Sequence, residues 1–300
     1  MTQLRSALFA LIVLPILLGR PVHAATPGGD LGAALEVADG QFLRGDFKNA
    51  CKEYLRISGL AQGKSAPALI GLSHCYTQLR QEDKAVTMAR QARAAAATPE
   101  ERTEALETLG EALLRQPDAP AKSESAAIFQ EELSGSKETD RGRAGLLASL
   151  LALHRDADAA ALLNAMRAGR MGEGKVHSFL CEAADLLQRT GNGKVDALND
   201  QLRALDPDAP LQAGGKVMPP KFLRGYQPFI RSSIPGTGAA VTVASVVNTK
   251  GNLQDFRVTR YSPLGPEVVD SLTTLVFTPA SLNGAPVPVC YLTTIKIDHQ

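Results

Sequence analysis

The chain has 300 residues, with 32 Lys and Arg against 31 Asp and Glu, so its formal net charge at pH 7 is +1. This length suits two domains of ordinary size. A balanced charge without Lys and Arg clusters argues against nucleic acid as a partner. The charge is nevertheless uneven, since residues 25–214 hold 22 Lys and Arg against 27 Asp and Glu, whereas residues 215–300 hold 8 against 4. The change favours a domain boundary near residue 214.

The first 24 residues have the pattern of a signal peptide. Arg5 precedes an apolar run of 14 residues at 6–19, and Val22-His23-Ala24 places small residues where signal peptidase cleaves. The run is shorter than the roughly 20 residues of a spanning helix. We therefore predict a signal peptide at 1–24, cleavage after Ala24 and a periplasmic protein without a membrane span; an uncleaved anchor is the alternative.

Four cysteines follow: Cys51, Cys75, Cys181 and Cys290. An even number in an exported chain favours disulfides, although four cysteines allow three pairings. Buried thiols that act as small apolar residues are the alternative. The sequence contains no C-x-x-C, so it predicts neither a zinc site nor thioredoxin-like redox chemistry.

Residues 31–205 are rich in Ala, Leu, Glu, Arg and Gln, and their apolar residues recur every three or four positions. This spacing predicts a succession of amphipathic helices. The helices also show a repeat with a period of about 35 residues, because Ala50 and Ala85 lie 35 residues apart in similar surroundings. Residues 176–189 and 194–205 are predicted as a terminal helix pair that covers the open end of the array.

Two units define the repeat. Each has a helix, a short polar turn and a second helix that opens on a small residue; the segments are 34–38, 45–47 and 50–54 in the first, and 69–76, 81–84 and 85–92 in the second. At these positions the chain resembles tetratricopeptide-repeat (TPR) proteins, with three to five repeats. The third unit is predicted to have a long turn at 116–124. An irregular helical bundle is the alternative.

The TPR resemblance also suggests disulfide pairings. Cys51 and Cys75 fall on helices that are neighbours in such an array, so we predict a bond between them, which would stabilise the fold by about 3 kcal/mol. A bond between Cys181 and Cys290 would instead tie the helical region to the C-terminal region.

A Pro- and Gly-containing linker is predicted at 206–215, before a small α+β domain at 216–299. The domain has the order β-β-α-β, with strands at 238–248 and 253–261 around an Asn248–Gly251 turn, a helix from Pro266 to about Leu275, and a final strand at 289–297. With the Phe277-Thr278-Pro279-Ala280 step and the following Gly284-Ala285-Pro286-Val287, this segment resembles the C-terminal domain of the TonB family.

The TonB resemblance implies that the final strand lies at a sheet edge and receives an extended segment of a partner. The residues of that predicted edge are Val289, Tyr291, Thr293, Ile295 and Ile297. Alternatively, the edge is covered by the lead-in to the domain, by the helical region or by a second copy of the chain.

Neither a catalytic set nor a cofactor or metal site is predicted. His74, His154, His177 and His299 lie apart in the sequence, without a recognisable nucleophile or metal motif. The stretches at 59–65 and 169–176 depart from the phosphate-loop pattern and are predicted to be loops next to helices.

The sequence therefore predicts a non-enzymatic periplasmic adaptor that binds protein or peptide partners, including outer-membrane or other envelope proteins. One alternative is a membrane-anchored TonB-like energy transducer for outer-membrane transport. Another is an envelope hydrolase, which would require a cleft with two histidines and a carboxylate. The identity of the partner, the pathway and the oligomeric state stay open.

Overall fold

The computed structural model describes residues 27–135, 140–169, 171–190, 194–225, 230–232, 240–258 and 265–299. The predicted signal peptide at 1–24 lies outside these ranges. Within them, no helix combines the length and the apolar character that crossing a membrane requires.

Ten helices make up the N-terminal region that is described: α1 (Pro27–Leu43), α2 (Phe47–Leu60), α3 (Ala66–Gln78), α4 (Glu82–Ala95), α5 (Pro99–Leu114), α6 (Ala119–Leu133), α7 (Asp140–Ala152), α8 (Asp156–Ala168), α9 (Glu173–Thr190) and α10 (Val195–Leu205). Each helix packs against the next one in the chain. The odd-numbered helices also contact one another in sequence order. The result is an array of five helix pairs with the first helix of each pair in one inner row, which is the arrangement that the TPR resemblance implies.

Side-chain caps explain why the helices begin where they do. In four helices a capping oxygen accepts a hydrogen bond from a backbone N–H of the first turn. The capping residues are Asp46 of α2, Ser65 of α3, Thr98 of α5 and Asp118 of α6. Because of the last cap, α6 begins at Ala119, and the long turn predicted at 116–124 is wrong.

A buried aromatic ring packs against glycines of the two neighbouring helices and so connects successive helix pairs. The ring of Phe129 from α6 is fully buried, and it lies against Gly110 of α5 and Gly145 of α7. A Cβ atom at these glycines would approach the ring to 2.5 and 2.3 Å, well inside contact distance. The ring therefore depends on both glycines for its space.

In its described residues, the C-terminal region consists mainly of short strands, with one helix and a longer final strand. The elements are β1 (Val217–Met218), β2 (Lys221–Arg224), β3 (Ile230–Ser232), β4 (Ala240–Val247), β5 (Leu253–Val258), α11 (Gly265–Leu272), β6 (Val276–Thr278), β7 (Ala280–Leu282), β8 (Ala285–Val287) and β9 (Val289–His299). They form three sheets, with the orders β1-β7-β8, β2-β6 and β3-β9-β4-β5. The predicted elements β-β-α-β correspond to β4, β5, α11 and β9, but β6, β7 and β8, which were not predicted as strands, lie between α11 and β9.

The predicted linker at 206–215 forms hydrogen bonds both with the start of β9 and with α10. The Leu211 N–H donates to the Pro288 carbonyl at 3.0 Å, and the Cys290 N–H donates to the Leu211 carbonyl at 2.8 Å. On the other side, Asn199 of α10 exchanges two hydrogen bonds with the backbone of Gln212. This segment therefore joins the helical region to the start of β9.

Helix α9 provides most of the contact between the two regions. A disulfide joins Cys181 of α9 to Cys290 of β9. Beside the disulfide, the guanidinium of Arg257 from β5 lies 4.6 Å from the centre of the Phe179 ring of α9 and forms an ion pair with Glu182. Burial lowers the pKa of Arg257 to about 10, against the opposing charge of Asp140.

The predicted bond between Cys51 and Cys75 is wrong, because both are free thiols in the structure. They are buried in the same apolar core between α1 and α5. The Cys75 thiol donates to the Phe47 carbonyl with an Sγ–O distance of 3.6 Å. Burial raises the pKa of both thiols. The two cysteines pack as small apolar side chains, and the interdomain pairing is the disulfide that forms.

Candidate binding groove

The inner row of helices lines a groove of about 1030 Å³. Side chains from α3, α5, α7 and α9 form its walls, with the end of α6 at the rim. Leu292 of β9 also lines it. The C-terminal region therefore contributes to a groove that the helical region builds, and the α9 junction holds the two in place.

One face of α5 supplies a row of glutamates to the groove. Glu100, Glu104, Glu107 and Glu111 are separated by four, three and four residues, which places them on one side of a helix. The second half of the row is more buried than the first. Glu100 and Glu104 are exposed, whereas the side chains of Glu107 and Glu111 are only 14% and 16% exposed.

Arg141 of α7 compensates the buried end of the row. Its Nε lies 2.7 Å from Glu111 Oε1 and 3.7 Å from Glu107 Oε2. Burial alone would raise the pKa of Glu111, but the charges of Arg141 and His74 and the hydrogen bond from Arg141 outweigh it and hold that pKa below its ordinary value. Conversely, the charge of Glu111 raises the pKa of Arg141. This pair joins α5 to α7 at the floor of the groove.

The other arginines of the groove are also engaged. Arg102 Nη2 lies 3.0 Å from Glu131 Oε1, and Arg189 pairs with Asp185 one turn before it on α9. Arg115 donates from Nη1 to the Arg189 carbonyl at 2.9 Å. Apolar surface between these groups comes from side chains that include Leu106, Leu186, Phe42 and Leu292.

The groove contains one histidine among the described residues, His74 of α3. Its ring lies 6.4 Å from that of Phe42. The hydrolase alternative required a second histidine beside it, and within the described residues the groove does not supply one.

A second cluster of polar side chains lies at the start of α9. Glu173, His177 and Asp206 each offer one ligand atom, and these atoms lie within 4.8 Å of one another. The guanidinium of Arg167 pairs with both carboxylates, at 2.9 Å from Glu173 and 2.6 Å from Asp206. Because this arginine already supplies the positive charge, we assign no metal site to the cluster.

The prediction that β9 is a free edge is wrong at both of its ends. Val289 forms a parallel bridge with Leu211, and Ile297 pairs with Ile230 of β3, also in parallel. Both partners precede β4 in the chain, so at its ends the edge is covered by the segment that leads into the domain, one of the alternatives left open from the sequence.

The middle of β9 pairs with β4 on one side. Tyr291, Thr293 and Ile295 face positions of β4 in antiparallel register. On the other side, no residue within the described ranges pairs with these three. Their role in binding a partner stays a prediction.

The groove glutamates were missed by the sequence analysis, although their spacing is visible in it. The stretch from Glu100 to Glu111 was interpreted only as helix-forming composition. The four-three-four spacing predicts one charged face, but only the packing of α3 and α7 beside α5 shows that this face points into a groove.

No protein-family model matches the chain, and no curated protein matches it. Solved structures with similar folds include YrrB, a TPR protein with an unusual peptide-binding site, at 14% identity, over 62% of this chain and 94% of that chain, with a TM-score of 0.41. A putative kinesin light chain of Podospora anserina with TPR-like repeats has 16% identity, over 62% and 96%, with a TM-score of 0.45. PilF of Pseudomonas aeruginosa has 14% identity, over 60% and 94%, with a TM-score of 0.28.

These similarities cover about 60% of the chain and concern helical repeats. At TM-scores below 0.5 they transfer no function. The TPR-like character of the present chain rests on its own helix pairs and their inner row, which favour a repeat array over an irregular bundle. The TonB-like identity of the C-terminal region stays a prediction.

Proposed function

We propose that the protein is a non-enzymatic adaptor that holds an extended polypeptide in the groove along α3, α5, α7 and α9. The groove carries this proposal, because an inner helix row with alternating polar and apolar lining offers both hydrogen-bonding and apolar contacts to a chain. Its walls come from four helices, and its volume of about 1030 Å³ lies at the upper end of the range of small-molecule pockets.

The adaptor is proposed to act in the periplasm. The signal-like residues 1–24 support export, and so does the disulfide between Cys181 and Cys290, since structural disulfides persist in oxidising compartments. Loss of about 24 N-terminal residues, measured by intact mass on protein from the cell envelope, would distinguish this location from the anchored alternative.

The C-terminal region is proposed to be a TonB-like docking module for a second protein. Its support is the order β4, β5, α11 and β9, together with the Phe277-Thr278-Pro279-Ala280 step that the resemblance includes. The middle of β9, at Tyr291, Thr293 and Ile295, is the candidate edge for that partner.

The Cys290 N–H points away from β4, toward Leu211. The regular register with β4 puts the N–H groups of Leu292 and Thr294 on that same side. A proline at Thr294 would remove one of these N–H groups and should abolish docking of a partner strand there.

Selection from a random peptide library on the purified protein tests the groove. We expect enriched peptides whose binding is lost in Thr103→Trp, which fills the groove from α5, and retained in Thr87→Trp on α4. Thr87 is exposed and lies outside the groove. Absence of any enriched peptide, or equal binding to both variants, would contradict the proposal.

A further inference from the structure

The charges along the groove point to the class of segment that it holds. We propose that the groove selects an extended segment carrying lysine or arginine at two positions separated by one residue, which reach Glu100 and Glu104. This inference rests on the proposed function, and it adds the chemistry of the ligand.

The groove lining is acidic. Among the described residues that line it, eight are carboxylates, four are arginines and none is a lysine. The carboxylates are Glu100, Glu104, Glu107, Glu111, Glu131, Glu132, Glu182 and Asp185, and the arginines are Arg102, Arg115, Arg141 and Arg189. A groove with an excess of one sign between low-dielectric walls concentrates its field and attracts the opposite charge.

Each arginine of the groove has a hydrogen-bond or ion-pair partner other than Glu100 and Glu104. Arg141 is held by Glu107 and Glu111, Arg102 by Glu131, and Arg189 by Asp185. Arg115 donates to a backbone carbonyl. Outside the groove, Arg257 pairs with Glu182.

Glu100 and Glu104 differ from the other carboxylates. Both are exposed, and neither forms a salt bridge with any residue in the described ranges. Their carboxylates therefore face the groove without an ion pair to any described residue, and Arg141 attracts Glu104 only from beyond ion-pair distance.

Helix stability explains one of these two residues only. Glu100 lies in the first turn of α5, where a negative charge is favoured by the helix dipole. Glu104 lies one turn further, where that effect has faded, and it repels Glu100 at the i, i+4 spacing. The repulsion from Glu100 thus limits what the second charge contributes to the isolated chain, whereas a cation in the groove would relieve that repulsion.

The spacing matches an extended ligand where its chain runs parallel to the axis of α5. Four residues of α-helix rise about 6 Å, and side chains on one face of an extended chain recur about every 6.6 Å. Two basic residues separated by one residue can therefore reach both carboxylates. The aliphatic stem of a lysine or arginine also suits the apolar lining at Leu186 and Leu292, since such stems pack on apolar surface while the charge stays in water.

Three labelled decapeptides test the inference by fluorescence anisotropy: alternating Lys-Ala, alternating Gln-Ala and alternating Glu-Ala. We expect Lys-Ala to bind about tenfold more tightly than Gln-Ala, from two exposed charge pairs, and Glu-Ala to bind least. The double variant Glu100→Gln/Glu104→Gln should lose about fivefold or more of the Lys-Ala affinity.

The matched control is Glu36→Gln/Asp200→Asn, which removes two exposed carboxylates outside the groove. Its affinity for Lys-Ala should be unchanged. Equal weakening in both double variants would overturn the inference, because it would show attraction to net charge alone. Lys-Ala binding no tighter than Gln-Ala would also overturn it.

The two proposals fail separately. If library selection yields groove-binding peptides that are neutral or acidic, the proposed function stands and the basic ligand class is wrong. If no peptide binds the groove, the proposed function itself is wrong.

Discussion

The helical and C-terminal regions organise their contacts in opposite ways. Each of the helices α1 to α8 packs against the next in sequence, and the inner row adds contacts one pair further along. In the C-terminal region the lead-in strands pair with distant partners, since β1 joins β7, β2 joins β6 and β3 joins β9. A local amphipathic pattern thus suffices for the first region, whereas the second depends on pairings remote in sequence.

The groove depends on both regions. Its walls belong to the locally built array, while Leu292 comes from the region that long-range pairings hold. The contrast between the regions can therefore be tested by changing a buried ring, the disulfide, the ion pair at the floor of the groove and an exposed glutamate at its mouth.

The largest effect is expected at the ring between helix pairs. Phe129→Ala should lower the free energy of unfolding by about 3–5 kcal/mol, because it empties a site between Gly110 and Gly145. Phe222→Ala on β2, where the side chain is 46% exposed, should cost about 1 kcal/mol. Urea unfolding measures both, and equal losses would show that the helical array is not locked at Phe129.

The next largest effect should come from the disulfide. Its cysteines are 109 residues apart, and Cys181→Ser/Cys290→Ser should destabilise the fold by about 2–4 kcal/mol. Calorimetry should show that the C-terminal region unfolds at a lower temperature. The control is Cys51→Ala/Cys75→Ala, which removes two buried thiols and should cost about 1 kcal/mol. An unchanged transition in the serine variant would mean that the other α9 contacts hold the junction alone.

A smaller effect should appear at the floor of the groove. Glu111→Gln should cost about 2 kcal/mol at neutral pH, because it replaces a charged hydrogen bond to Arg141. The folded pKa of Glu111 is lowered, so its stabilising effect is present above the pKa of an unfolded glutamate and is lost as the pH falls through the folded value. Urea unfolding at several pH values should thus show a flatter acid limb in the variant. If the stability of the variant falls as steeply at acid pH as that of the native chain, other groups cause that pH dependence.

The smallest effect on stability is expected at the groove mouth. Glu104→Gln should change the free energy of unfolding by less than about 0.5 kcal/mol, with a slight gain from the removed repulsion. A loss above 1 kcal/mol would show that Glu104 stabilises the fold, and the argument for a ligand at this position would then fail.

The helices could be predicted from the sequence because their signals are local. The turn at 45–47 with Asp46 as a cap and the small residues at Ala50 and Ala85 mark helix boundaries and contacts directly. The long turn expected at 116–124 failed because the capping capacity of Asp118 was overlooked.

The remaining features depend on what lies nearby in space. Ile297 was expected at an edge, but β3 pairs with it from a lead-in segment too short to be recognised as a strand. Likewise, adjacent helices bring Cys51 and Cys75 into one core without bonding them, while Cys290 meets Cys181 through the packing of β9 on α9. The spacing of the glutamates from Glu100 to Glu111 could be recognised in the sequence, but not the fact that they face a groove.

The central claim, that the groove of the inner helix row holds an extended polypeptide, can be tested with a photoreactive residue at Thr103. A library-selected peptide should cross-link to Thr103→benzoylphenylalanine in the groove and should not cross-link when the same residue replaces Thr87 on α4. Cross-linking confined to the Thr87 position, or equal at both, would place the peptide elsewhere and contradict the account.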